Sequence, residues 1–315
     1  MKPQEVLRRT VEELLRLEKV DLVIGYERGS LPLRTTPCFL RDPRDADRLV
    51  WDATCENNLS AYLKERKEKI AIVAKSCDVR SILVAAAENQ VALENLVVIS
   101  GPCRGVIDRK KIAERTGDRE VRDAEIGEET ISVAGRGFEI KLPVEHVLSD
   151  SCLECDHRDP PICHVRLEEA PAQPSEQQQS TEVQRLESLS SEQRWAHFQK
   201  EFDRCIRCYA CRNACPLCYC KECIVDWTNP SWFGKGSHPA DVMMFHIARV
   251  IHLAGRCVDC GACTRACPMA INIGALSSKL QKYVKEEFGY EPGMDVKTAP
   301  PLASYSKEDR DDFIT

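Results

Sequence analysis

A chain of 315 residues with 43% hydrophobic and 30% charged residues has room for two globular domains and shows no disordered or fibrous bias. Its net charge of -6 excludes a surface built for nucleic acid, which needs a concentrated excess of Lys and Arg. Cysteine is the outlier, at 18 residues; with no secretory signal ahead of them these are expected to be reduced thiols of a soluble, cytoplasmic protein, and closely spaced reduced thiols are metal ligands.

In chain order, residues 1–19 alternate charges with Val6, Leu14, Leu15 and Leu17 and predict an amphipathic helix. Residues 20–26 predict a strand, residues 43–50 and 57–67 helices, and the unbroken apolar run Ile70–Ala74 a strand buried on both faces. Residues 79–89 follow as a helix, Leu96–Ser100 as a second buried strand, and residues 107–115 as a helix ending at Gly117. Residues 119–143 are β-like, with a turn in Ala134-Gly135-Arg136-Gly137. Together they predict an α+β, α/β-like domain over residues 1–165.

Residues 166–191, with Pro171, Pro174 and the glutamines from Gln177, are expected to be a linker. A helix over residues 192–204 carries Trp195, Phe198 and Phe202 toward the first dense cysteine group, and further helices are expected over residues 239–254 and 271–287. The reading is a mostly helical domain over residues 192–290 and an extended tail over residues 291–315. The most apolar stretch, residues 242–254, is interrupted by His246, Arg249 and His252. It falls short of the roughly 18 to 20 residues of a membrane span, so no transmembrane segment is expected.

Cys205-x2-Cys208-x2-Cys211-x3-Cys215-Pro216 matches the bacterial ferredoxin run, and Cys257-x2-Cys260-x2-Cys263-x3-Cys267-Pro268 repeats it. Three thiolates two residues apart wrap three corners of a cubane. The fourth, set off by a proline that turns the chain away, reaches the neighbouring cluster. Two 4Fe-4S clusters are therefore expected, one on Cys205, Cys208, Cys211 and Cys267, the other on Cys257, Cys260, Cys263 and Cys215. Zinc sites use C-x2-C pairs across longer spacers, which this triple run is not. Cys218, Cys220 and Cys223 follow the first motif without a fourth ligand nearby; packing around the cluster and a further metal site are the two readings. The long helix between the motifs makes the domain α-helical ferredoxin-like.

A looser constellation lies upstream. Cys77 and Cys103 each follow a predicted buried strand, and Cys152 and Cys155 form a C-x2-C pair. Ligands gather at the carboxyl edge of an open α/β sheet, so these four are candidate ligands of a third 4Fe-4S cluster or equivalent thiolate site, with Cys55 as the alternative ligand. Scattered core cysteines acting as small hydrophobes are the competing reading. Lys75 and Arg104 flank two of them as cations for thiolates or an anionic cofactor, and His146, His157 and His164 lie near the pair as ligands, proton carriers or plain surface residues.

At Cys55-Glu56-Asn57-Asn58-Leu59, Val73-Ala74-Lys75-Ser76-Cys77-Asp78-Val79-Arg80-Ser81, Val98-Ile99-Ser100-Gly101-Pro102-Cys103-Arg104-Gly105 and Cys152-Leu153-Glu154-Cys155 the chain resembles the beta-subunit family of hydrogenases and formate dehydrogenases that use the deazaflavin coenzyme F-420. The resemblance implies an iron-sulfur electron-transfer subunit of an anaerobic oxidoreductase, with hydrogenase, formate dehydrogenase or heterodisulfide-reductase-like subunits as partners. It also implies the alternative of an FAD-dependent subunit that oxidises a reduced deazaflavin or NAD(P)H and passes electrons to its own clusters. Ser76 stands where the family pattern has Gly, Cys163 and His164 depart from it as well, and no Gly-rich dinucleotide fingerprint supports the flavin independently.

Overall fold

The computed structural model describes residues 2–168, 182–305 and 307. Helix α1 (Pro3–Arg16) opens on a proline, whose fixed φ suits the first helical position, and its Leu7, Val11 and Leu15 recur every fourth residue as one buried stripe. Strands β1 (Leu22–Arg28) and β2 (Thr35–Leu40) pair antiparallel. Then come β3 (Ile70–Ala74), α2 (Ser76–Ala87), β4 (Leu96–Ser100) and α3 (Arg109–Thr116), the last capped by left-handed Gly117. Strands β5 (Val121–Ile126), β6 (Thr130–Gly135) and β7 (Phe138–Pro143) form a separate antiparallel sheet, and Gly137, at φ 77°, turns the chain between the last two. A short helix α4 (Asp150–Leu153) leads to β8 (Val165–Arg166).

The main sheet runs β2-β1-β3-β4-β8, parallel except for β2. Every residue of β3 is buried, since it lies inside the sheet between β1 and β4 with α2 and the Leu59–Tyr62 segment packed against it, which is why its sequence is an unbroken apolar run. Ala74 and Ser100 are partners at the ends of β3 and β4, and Ser100 Oγ donates to the Ala74 carbonyl at 2.6 Å. Cys77 and Cys103, each three residues further on, therefore leave the same sheet edge.

Several expectations are corrected. The helix predicted over residues 57–67 is one 3-10 turn, Leu59–Tyr62: the Asn58 side chain accepts from Ser60 N and Ser60 Oγ, and the chain breaks into bends. Residues 43–50 likewise hold a 3-10 helix, Pro43–Arg48, capped by Asp42. Strand β2 was not anticipated, since Pro37 argues against a strand except at a sheet edge, which is where it lies. Of the expected linker, residues 169–181 lie outside the described residues. Arg166 on one side belongs to the sheet, and on the other α5 (Glu182–Glu187) buries Val183 and Leu186.

The rest is helical: α6 (Ser191–Asp203), started by a Ser190 and Gln193 capping box, α7 (Ala210–Asn213), α8 (Pro239–His252), α9 (Ala262–Ala266) and α10 (Gly274–Phe288). Helices α6 and α10 pack on α8, and α7 on α9. The start of the expected extended tail folds back instead: Arg80 of α2 donates through Nε and Nη2 to the Pro292 carbonyl at 3.1 and 2.8 Å, and His157 meets Glu291 at 2.6 Å; residues 306 and 308–315 of that tail lie outside the described residues. The helical part is tied to the sheet side by Arg256 on Glu88 at 2.7 Å and by Lys110 Nζ on the Cys267 carbonyl at 3.3 Å. Among the described residues no helix is long and apolar enough to cross a membrane.

Candidate metal centre

The two cysteine runs fold into copies of one loop. In the first, Arg207 and Tyr209 are left-handed, φ 50° and 60°; in the second, Asp259 and Gly261 at the same places have φ 52° and 68°. Each loop then enters a short helix, α7 or α9, that carries its third cysteine. Left-handed backbone is costly for Arg, Tyr and Asp and persists only where the surroundings enforce it.

The fourth cysteine of each run lies beside the other run's loop. Cys267 and Cys208 are the thiols that repel charge on Cys205, and Cys263, Cys267 and Cys205 those that do so on Cys211. Around Cys257 the corresponding thiols are Cys260, Cys263 and Cys215. Burial pushes Cys211 and Cys260 up to about 11 and raises Cys257 well above the ordinary thiol range; Cys215 is raised first by the Cys218 thiol and then by burial. Such groups stay neutral unless something strongly cationic enters among them, which is what iron supplies to thiolates. Arg207 N and Ile271 N point at Cys205 and Cys267 Sγ, both at 3.4 Å, and His246 Nε2 lies 3.3 Å from Cys205 Sγ. Donors of this kind stabilise thiolate ligands and tune a cluster.

At the sheet edge, Cys103 and Cys152 act on one another, with Cys155 and, through Cys103, Cys77 alongside. Gly105 N and Val106 N point at Cys103 and Cys152 Sγ, both at 3.4 Å. Gly105, at φ 95°, lets the strands' edge approach Cys152 closely: a Cβ there would stand 3.1 Å from that of Cys152. Cys77, Cys103, Cys152 and Cys155 line a cavity of about 220 Å³ shared with Cys257 and Cys260. The donor sets thus fit 4Fe-4S clusters: four thiols each, buried or half-buried except for exposed Cys208, with backbone N–H groups aimed at sulfur. Among the described residues no three His, Cys, Asp or Glu side chains close on one point as a single metal ion needs.

Other candidates are differently engaged. Cys55 is 1% exposed in the apolar core, its thiol facing the Val50 carbonyl, with Asp52, Lys75 and Arg28 as its charged neighbours. Cys218 touches Cys215, Cys220 is exposed, and Cys223 faces Arg212. Lys75 turns to Asp78 at 2.9 Å and Arg104 to Glu128 and Glu168. His146 is exposed beside Glu145, His157 pairs with Glu291, and His164 Nδ1 accepts from Val98 N at 2.9 Å. Not foreseen are His246 and the cations Arg207, Arg249 and Arg265, whose signal was visible as charges breaking an apolar helix and as basic residues inside the motifs.

A second cavity, about 610 Å³, also reaches Cys103; Trp51 lines it, and the cations Arg28, Lys75 and Arg104 are matched there by Asp52, Glu125, Glu128 and Glu168. Its size lies within the roughly 300 to 1,000 Å³ of small-molecule sites.

No family model matches the chain. It is 26% identical to the F420-dependent formate dehydrogenase subunit beta of Methanocaldococcus jannaschii, over 92% of this chain and 91% of that protein. It is 24% identical to the F420-dependent formate dehydrogenase 1 subunit beta of Methanococcus maripaludis, over 90% and 89%. A chain of the F420-reducing NiFe hydrogenase complex from Methanosarcina barkeri aligns with a TM-score of 0.35 at 17% identity, over 48% of this chain and 62% of that one. Similarity along nine-tenths of its length makes the chain a relative of the beta subunits of F420-dependent formate dehydrogenases.

Proposed function

We propose that the chain is an iron-sulfur electron-transfer subunit of a multi-subunit, F420-dependent oxidoreductase of the formate dehydrogenase kind. It would hold one 4Fe-4S cluster on Cys205, Cys208, Cys211 and Cys267, a second on Cys257, Cys260, Cys263 and Cys215, and a third on Cys77, Cys103, Cys152 and Cys155. The observation that carries this reading is that Cys267 lies beside Cys205 and Cys215 beside Cys257, each next to the other run's loop, in two loops of matching left-handed backbone. Clusters supply one-electron storage there. The chain supplies the thiols, the N–H groups that stabilise them as thiolates, and the packing of Phe202, Phe245 and Ile271 that excludes water. Anaerobically purified protein is expected to contain iron and sulfide in equal amounts, with paramagnetic signals from interacting clusters on reduction. A colourless, iron-free preparation rules the reading out.

The cavity beside Trp51 and Cys103 supports a second, compatible reading by its size and place, since its Arg28, Lys75 and Arg104 are already paired with carboxylates: a flavin, FAD by the family resemblance, binds there and hands electrons to the third cluster. A flavin absorption band that survives gel filtration, and is lost in Trp51→Ala, is the expected result. Its absence from iron-replete protein leaves the relay alone.

A further inference from the structure

We propose that Arg249 and Arg265 are fixed cations at the two junctions of a three-cluster row, holding its reduction potentials up and easing the repulsion between neighbouring reduced clusters. The inference rests on the cluster reading above. The row follows from which thiols face which: Cys211 of the first group meets Cys263 of the second, and Cys260 of the second meets Cys77 of the third.

Each junction contains one guanidinium. Arg249, 6% exposed on α8, faces Cys263, Cys215, Cys218 and Cys211, and so looks into the first and second groups at once. Its Nη2 donates to the Cys211 carbonyl at 3.0 Å and the guanidinium meets the Cys218 thiol, while buried Nε and Nη1 have no oxygen or nitrogen acceptor. Arg265 of α9 faces Cys152 and Cys77 of the third group and Cys260 of the second. Its Nη2 donates to the Glu56 carbonyl at 2.8 Å, and buried Nε and Nη1 are again without a partner. The Glu56 carboxylate pairs with Arg109 at 2.9 Å and also acts on Arg265, after the Cys152, Cys260 and Cys77 thiols.

A buried guanidinium with two idle N–H groups is expensive unless an acceptor stands before it. Thiolate and sulfide sulfur are the acceptors that the surrounding cysteines would bring. Arginine remains charged at every working pH, so its effect is constant. Each one-electron reduction adds one negative charge to a cluster, and when an electron passes along the row one cluster is oxidised as its neighbour is reduced, with no proton required. A fixed positive charge at the junction favours the reduced form on both sides.

The test uses the full chain, purified anaerobically, with iron and sulfide counted before potentiometric titration followed by electron paramagnetic resonance. Arg249→Gln is expected to lower the potentials of the first and second clusters and spare the third. Arg265→Gln should lower the second and third and spare the first. Each shift should be at least tenfold in the ratio of reduced to oxidised cluster, about 59 mV for one electron. Arg249→Lys and Arg265→Lys, which keep the charge, should titrate close to wild type. Should a glutamine variant lose iron, its lysine partner decides: potentials held near wild type support the proposal, and a fall as deep as tenfold overturns it. Iron-free wild-type protein overturns the cluster reading and this inference with it. Fully loaded glutamine variants with unmoved potentials overturn this inference alone.

Discussion

Arg207 and Asp259 hold the same position in the two cysteine loops, two residues beyond the opening cysteine, and both are left-handed, with φ of 50° and 52°. One is a cation and the other an anion, so local preference does not explain the match; what the loops enclose does. The next matched pair is Tyr209 and Gly261, and only the second is glycine. A Cβ at Gly261 would run into Ser151 Oγ and come within 2.8 Å of Arg265 Nη1. Gly261→Ala is therefore expected to destabilise the protein by about 1 to 3 kcal/mol, from the positive φ and the clash together. Thermal melting checks this, and an unchanged midpoint would mean that the loop has room to give.

Cys208→Ala and Cys260→Ala should each remove one cluster's iron and its signal, since neither thiol has a spare neighbour. Cys215→Ala tests the exchange of fourth ligands. It should disturb the cluster on Cys257, Cys260 and Cys263, although Cys215 sits in the other motif. Because Cys218 touches Cys215, the single variant is expected to retain part of its iron through Cys218, and Cys215→Ala/Cys218→Ala to lose that cluster. Loss confined to the cluster on Cys205 would show that the fourth ligands are not exchanged.

How much of this was legible in the sequence depends on how local the cause is. Strands Ile70–Ala74 and Leu96–Ser100 were readable to the residue because burial on both faces leaves an unbroken apolar run. Gly117 ended its helix for an equally local reason. Residues 57–67 misled because a helix-friendly composition was overruled by one side chain, Asn58, bonding its own backbone. The cysteine motifs could be read for spacing, but the cations between them could not. Arg249 was noticed only as a charge that breaks an apolar helix, since what it faces is set by the crossing of α8 over both loops. Folding back of Glu291 and Pro292 onto His157 and Arg80 was invisible for the same reason, both partners lying far away in sequence.

At the sheet edge the competing ligand sets make different forecasts. Cys103→Ala and Cys152→Ala should each remove the third cluster's iron while leaving the signals of the other two. Cys55→Ala should leave iron content unchanged and cost only packing, about 1 to 2 kcal/mol for a buried thiol in a full core. If Cys55→Ala loses iron and Cys152→Ala does not, the ligand set has been drawn wrongly.

The position of Cys77 depends on a buried ion pair that brackets it, Lys75 two residues before and Asp78 one residue after. Lys75 Nζ meets Asp78 Oδ2 at 2.9 Å and the Asn57 carbonyl at 2.7 Å and touches the Tyr26 hydroxyl, and the pair's side chains are 4% and 0% exposed. Asp78 Oδ2 also accepts from Lys75 N at 3.0 Å, which fixes the first turn of α2 where Cys77 sits. Removing one partner strands the other charge in the core, so Lys75→Met should destabilise by about 3 to 5 kcal/mol. Replacing both by apolar groups abolishes the stranded charge, and Lys75→Met/Asp78→Leu should recover a large part of that loss. Iron content separates stability from positioning. The double variant should remain short of the third cluster's iron, because the bond that sets the start of α2 is gone. Denaturant unfolding and iron analysis on the same samples decide it. A double variant no more stable than the single one, or one that regains the full iron content, would show that the pair neither costs nor positions what is claimed for it.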